Sequence, residues 1–121
     1  MRKVTFMYNY RYYDKGLTSL PNDVPKYVGD NFWCYYNSLT SLQGAPKYVG
    51  GSFSCGHNNL TSLQGAPKYV DGGFWCQYNN LTSLQGAPKH VAGDFYCHNN
   101  KKKFTEEEVR AVCDVKGNIY V

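Results

Sequence analysis

Apolar and polar positions return along this chain with a fixed period. The segment LTSLQGAPKYVGGSFSCGHNN, residues 39–59, is followed by LTSLQGAPKYVDGGFWCQYNN, residues 60–80, and by a third, closely similar segment that starts at Leu81. A fourth, more divergent copy precedes them from Leu17, 22 residues before Leu39, while the later spacings are 21. The extra residue sits in PNDVP, where the other units have QGAP. A Pro-rich bend absorbs an insertion most easily. Within each unit Phe and Cys are two residues apart, which predicts a short strand with both side chains on one face. Asn follows three residues after Cys, and the leucines of LTSL follow the Asn.

Self-similarity at this period predicts a solenoid of stacked coils, because one coil cannot bury its own apolar face. Phe32, Phe53, Phe74 and Phe95 are expected to stack inward, with Cys34, Cys55, Cys76 and Cys97 beside them. Adjacent coils are about 4.8 Å apart. Asn37, Asn58, Asn79 and Asn100 are expected to form a ladder that satisfies backbone groups where the strand turns into LTSL.

The ends break the pattern. VTFMYNYRYY, residues 4–13, alternates with period two, placing Val4, Phe6, Tyr8, Tyr10 and Tyr12 on one face. It reads as one or two strands, a strand or hairpin cap, with Tyr10 and Tyr12 in the Phe and Cys positions of a degenerate first unit. FTEEEVRAVCDV has the capping box Thr105/Glu108, the staple pair Phe104/Val109 and three glutamates in the first turn. That predicts a helix whose Val109, Val112 and Cys113 cover the last coil. KGN then turns the chain into a terminal strand, IYV. The expected layout is one domain: an N-terminal cap at 1–16, four repeats at 17–38, 39–59, 60–80 and 81–100, and a C-terminal cap at 101–121.

Composition changes the picture in two ways. Twelve Tyr, six Phe and two Trp are more aromatic residues than a small core needs. Five cysteines without a CxxC pair offer neither a zinc ribbon nor a redox motif, and the odd number argues against a disulfide framework. The net charge of +4 is only mildly basic. No run of 18 apolar residues predicts a membrane span, and the first residues lack a leader's uninterrupted apolar stretch, so a cytoplasmic location is the expectation.

The spacing FxCxxNxLxxL resembles the leucine-rich repeat consensus LxxLxLxxNxL, with Phe and Cys in two Leu positions, over residues 17–100. The units are similar to the short leucine-rich repeats of bacterial effectors and of small phage and bacterial proteins. The resemblance implies a β-rich solenoid with a short parallel strand per coil and an extended, Pro-containing convex side. It also implies partner binding through the concave strand surface, as in a phage-encoded inhibitor of a host defence protein. One departure stands out: Val49 precedes Phe53 by four positions where the consensus has three, which points to a bulge at the intervening Gly-Gly.

Outward strand positions are where the repeats differ. Trp33, Ser54, Trp75 and Tyr96 lie between Phe and Cys. Tyr35, Gln77 and His98 follow Cys, and Tyr36, His57 and Tyr78 come next. Arg11 and Tyr13 extend the set toward the N-terminus. Large exposed aromatics of this kind mark protein interfaces. Ser52, Ser54 and Gly56 make one unit small and predict a dip between aromatic ridges, with His57 at its rim. Cross-strand packing of the aromatics is the structural alternative.

A second ladder, Lys26, Lys47, Lys68 and Lys89 with Tyr27, Tyr48, Tyr69 and His90, is the alternative site, for nucleic acid. A second copy of the chain is a further candidate partner for the aromatic face. The histidines fall at different repeat positions, and Cys97 and His98 lie on opposite strand faces. No HExxH, phosphate loop or GxSxG occurs. The expectation is therefore a protein-binding, non-enzymatic module with no cofactor and no metal.

Overall fold

Two short β segments recur in each repeat, Tyr-Val after the Pro-Lys pair (His-Val in the last copy) and Phe-x ahead of Cys. The computed structural model describes residues 5–6, as backbone, and 9–121. Thr5–Phe6 (β1) and Tyr10–Arg11 (β2) come first. The repeats then supply Tyr27–Val28 (β3) and Phe32–Trp33 (β4), Tyr48–Val49 (β5) and Phe53–Ser54 (β6), Tyr69–Val70 (β7) and Phe74–Trp75 (β8), and His90–Val91 (β9) and Phe95–Tyr96 (β10). A helix, Glu106–Val112 (α1), precedes Asp114–Val115 (β11) and Ile119–Tyr120 (β12). Odd-numbered strands build one parallel six-stranded sheet, in the order β1-β3-β5-β7-β9-β11. Even-numbered strands build a second, from β2 to β12. The chain is a parallel β-solenoid in which every rung contributes one strand to each sheet.

Two strands per coil correct the expectation of one. The Gly-Gly stretch after Val49 is a corner between two sheets and not a bulge. Backbones of successive coils touch at this corner. A Cβ added at Gly72 would lie 2.8 Å from the carbonyl carbon of Gly51, and one at Gly93 would lie 2.8 Å from that of Gly72. Only glycine allows that approach.

The core is the inward column of each repeated position. Phe32, Phe53, Phe74 and Phe95 are fully buried, as are Val28, Val49 and Val91 on the opposite sheet. Ring centroids of Phe32 and Phe53 are 5.4 Å apart and those of Phe53 and Phe74 5.7 Å, nearly parallel in both pairs. Burial of each such side chain contributes about 1.5–3 kcal/mol. Leu39, Leu42, Leu60 and Leu63 close the third side. The QGAP segment between leucine and proline is a tight turn: the Ala45 amide donates to the Leu42 carbonyl at 3.0 Å, and Gly44 has φ +93°.

The asparagine ladder is present and stitches coil to coil. Asn58 Oδ1 accepts from the Leu39 amide at 2.9 Å, and its Nδ2 donates to the carbonyls of Cys34 and Cys55, both at 3.1 Å. Asn79 repeats this one coil on, with Leu60, Cys55 and Cys76.

At the N-terminus, β1 and β2 do not form a hairpin. Thr5 registers with Tyr27 in one sheet and Tyr10 with Phe32 in the other, both in parallel. The segment is a first rung, and Tyr10 occupies the Phe position. Val4, Met7 and Tyr8 lie outside the described residues. At the C-terminus Thr105 caps α1, with the Glu108 amide donating to its hydroxyl and the Glu108 carboxylate accepting from the Thr105 amide. Phe104, Val109 and Cys113 are buried, but Val112 faces solvent, contrary to expectation. Beyond the helix the chain adds a complete sixth rung, β11 and β12, where only one terminal strand was expected.

Candidate partner-binding face

Strand register aligns the outward residues of the second sheet in columns. The first column runs Arg11, Trp33, Ser54, Trp75, Tyr96, Tyr120, each in register with the next. Its upper part is a stack: Trp75 and Tyr96 centroids are 4.8 Å apart at 6°, and Tyr96 and Tyr120 4.6 Å at 8°. These distances equal the strand spacing, so the rings follow the coil repeat. The Tyr96 hydroxyl donates to the Asp94 carboxylate at 3.3 Å. Burial, then the neighbouring Asp94 charge, raises the phenol above its ordinary value. Tyr120 was not singled out by sequence; the clue was DFYC at 94–97 returning as NIYV at 118–121.

The second column holds Tyr13, Tyr35, Gly56, Gln77 and His98. Tyr13 and Tyr35 stack at 4.9 Å. Gln77 folds over Gly56: a Cβ on Gly56 would fall 2.7 Å from its Nε2. Gln77 Oε1 is buried and accepts no hydrogen bond from the described residues.

The third column holds Asp14, Tyr36, His57, Tyr78 and Asn99, and all five have left-handed backbone, with φ of 54–57°. In the four repeats this residue turns the strand so that the following Asn, from Asn37 to Asn100, points inward. Asn, Asp and His tolerate that conformation best among non-glycine residues, while the bulky tyrosines are strained there. Asn99 was the available sequence clue. The three aromatic members form a continuous stack, Tyr36 on His57 at 4.2 Å and His57 on Tyr78 at 4.5 Å. Tyr36 and Tyr78 remain 54% and 46% exposed.

The dip expected at the small unit exists, with a different floor. Gln77 covers Gly56, so Ser54 forms the bottom, 7% exposed. Trp33 and Trp75 wall it, and Tyr35, Tyr36, His57 and Gln77 complete its rim. Its volume is about 350 Å3. Ser52 is not part of it, since the Ser52 hydroxyl is turned to accept from the Gly73 amide at 3.0 Å. Arg11 is exposed at one end of the face, and His98 lies edge-on to Tyr78 and Tyr96 at the other.

The first sheet carries the lysine ladder on its outer side. Lys26, Lys47, Lys68 and Lys89 are all exposed. Acidic groups interrupt the ladder. The Tyr48 hydroxyl donates to Asp71, and Asp114 lies 3.5 Å from His90 and 3.4 Å from Lys116. The hydrogen bond to Asp71 raises the Tyr48 phenol.

The five cysteines are free and buried. Burial raises every one of their thiols, Cys97 and Cys113 to about 11 and the inner three further. They are packing groups and poor nucleophiles. Among the described residues no three His, Cys, Asp or Glu side chains are grouped to hold a metal ion, and no helix is long and apolar enough to cross a membrane. Comparison with family models, curated proteins and solved structures finds no match.

Proposed function

We propose that the chain is a protein-binding module whose contact surface is the outer face of the second sheet. The observation that supports this is the strained aromatic column. Tyr36, His57 and Tyr78 occupy left-handed backbone, which costs each tyrosine about 1–2 kcal/mol relative to a residue suited to it and the histidine less. Asn99 occupies the same position without that strain. Ring stacking returns about 0.5–1.5 kcal/mol per pair, so folding alone gives little reason to hold three exposed aromatics here. Strain kept at a solvent-facing position points to function. The similarity of the repeat to short leucine-rich units supports the same surface, and with it the narrower reading of a phage-encoded inhibitor of a host protein.

The test is a triple substitution, Tyr36→Asn, His57→Asn and Tyr78→Asn. The variant is expected to fold with unchanged or raised stability by circular dichroism and to lose the protein that the parent chain captures from host lysate. Equal capture by both would reject this face. A captured nucleic acid, lost on Lys47→Glu/Lys68→Glu, would move the site to the lysine ladder. A mass that doubles with concentration would make a second copy the partner.

A further inference from the structure

The first aromatic column has one rung missing. Trp33, Ser54 and Trp75 occupy equivalent positions in successive coils, so the backbones of the two tryptophans stand two strand spacings apart, about 9.6 Å. The filled rungs beyond Trp75 sit at 4.8 and 4.6 Å. The gap over Ser54, lined by both tryptophans, therefore leaves room for one planar group in place of the missing rung.

Three observations define that group. The walls are indoles, whose ring faces are the strongest cation acceptors among side chains. Gln77 lines the rim, and its Oε1, buried against Gly56, accepts no hydrogen bond from the described residues; turning this side chain toward the slot would bring the oxygen to the N–H donor it lacks. Among the described residues no Lys, Arg, Asp or Glu lines the slot, and the one lining group able to carry a positive charge, His57, is stacked between Tyr36 and Tyr78. A guanidinium meets all three conditions. It is planar, cationic and carries donors around its edge, so it can stack on a ring while an N–H reaches the amide oxygen. An ammonium lacks the plane, and a phenyl ring lacks both the charge and the donor. The chain's own column already places one arginine in register with Trp33, at Arg11. Arg11 is two rungs from the slot and exposed, a distance over which salt at 0.15 M screens it.

We propose that the slot between Trp33 and Trp75 takes an arginine side chain of the protein partner, stacked over Ser54 with an N–H donated to Gln77 Oε1. This rests on the protein-binding reading above and names the contact at its centre.

The test uses N-acetyl-arginine amide as the probe and the indole N–H signals of the two tryptophans as the readout, by NMR on the full chain. Both indole signals are expected to shift with millimolar affinity, and to respond far less to N-acetyl-lysine amide, N-acetyl-phenylalanine amide or adenosine. Ser54→Trp supplies the missing rung from within. It is expected to keep the fold and to weaken the probe at least about tenfold, the loss expected from one desolvated cation–π contact. Gln77→Glu is expected to tighten it several-fold through a charge-assisted bond. An equal response to the lysine probe, a stronger one to adenosine or the phenylalanine probe, or no indole shift would each overturn the arginine assignment. The two readings fail separately. If Ser54→Trp abolishes partner capture while the arginine probe does nothing, the face stands and the arginine falls. If the parent and Ser54→Trp capture the same partner equally, the slot is not where a partner's arginine enters, whatever the probe does.

Discussion

Replacing Asn58 with alanine tests whether the asparagine ladder holds the coils together. Asn58 is 6% exposed. Its Oδ1 is the partner of the Leu39 amide, and the substitution leaves that buried donor unsatisfied, at about 1–3 kcal/mol. The carbonyls of Cys34 and Cys55 each accept from two ladder residues, Cys34 from Asn37 and Asn58, Cys55 from Asn58 and Asn79. Each therefore loses one of two bonds, about 0.5–1.5 kcal/mol apiece. The sum is about 2–6 kcal/mol, to be set against a total stability of about 6–18 kcal/mol for a chain of this length. Urea unfolding followed by circular dichroism measures it. With a slope of about 2 kcal/mol per molar urea, the midpoint is expected to fall by roughly 1–3 M. Asn100→Ala removes the same groups from the last ladder position, where the side chain is half-buried and water can replace part of what is lost, so its loss is expected to be smaller. A loss below about 1 kcal/mol for Asn58→Ala, or equal losses at the two sites, would refute the reasoning.

Stability is expected to fall in alkali. Thiols of the unfolded chain ionise near their ordinary value of 9.0, whereas native Cys97 and Cys113 hold their protons to about 11 and the inner three longer. The contribution is complete below pH 9 and is lost above it, by up to about 1.4 kcal/mol per pH unit for each thiol; urea midpoints at pH 7.5, 9 and 10 measure it, and Cys55→Val/Cys76→Val should flatten the slope. Gly65→Ala is expected to cost about 2–4 kcal/mol by thermal unfolding, since its Cβ would meet the Leu42 carbonyl carbon at 2.6 Å with φ at +93°. Gly16→Ala, whose added Cβ would meet nothing within 4 Å among the described residues, should show only the backbone strain, about 1–2 kcal/mol.

The sequence by itself determined the solenoid. An apolar pattern copied every 21 residues cannot be buried by one coil, and identical coils stack in register; that alone placed the Phe, Cys and Asn columns and the outward aromatics, while the Thr105/Glu108 capping box placed the helix. Tertiary structure decided what depends on neighbours distant in the chain. A two-residue strand has no periodicity to read, so Tyr48–Val49 was recognisable as a strand only from its partners Tyr27–Val28 and Tyr69–Val70. The corner at Gly50–Gly51 and the parallel pairing of β1 and β2 follow from that second sheet. The left-handed column at Tyr36, His57 and Tyr78 was hidden because tyrosine argues against that conformation, and the ring stacking that accompanies it connects residues a full coil apart. The dip was legible as small residues between large ones. Its floor and its unpartnered oxygen were not, because the Gln77 side chain reaches across to Gly56, 21 positions earlier, and only the stacking of coils brings the two together.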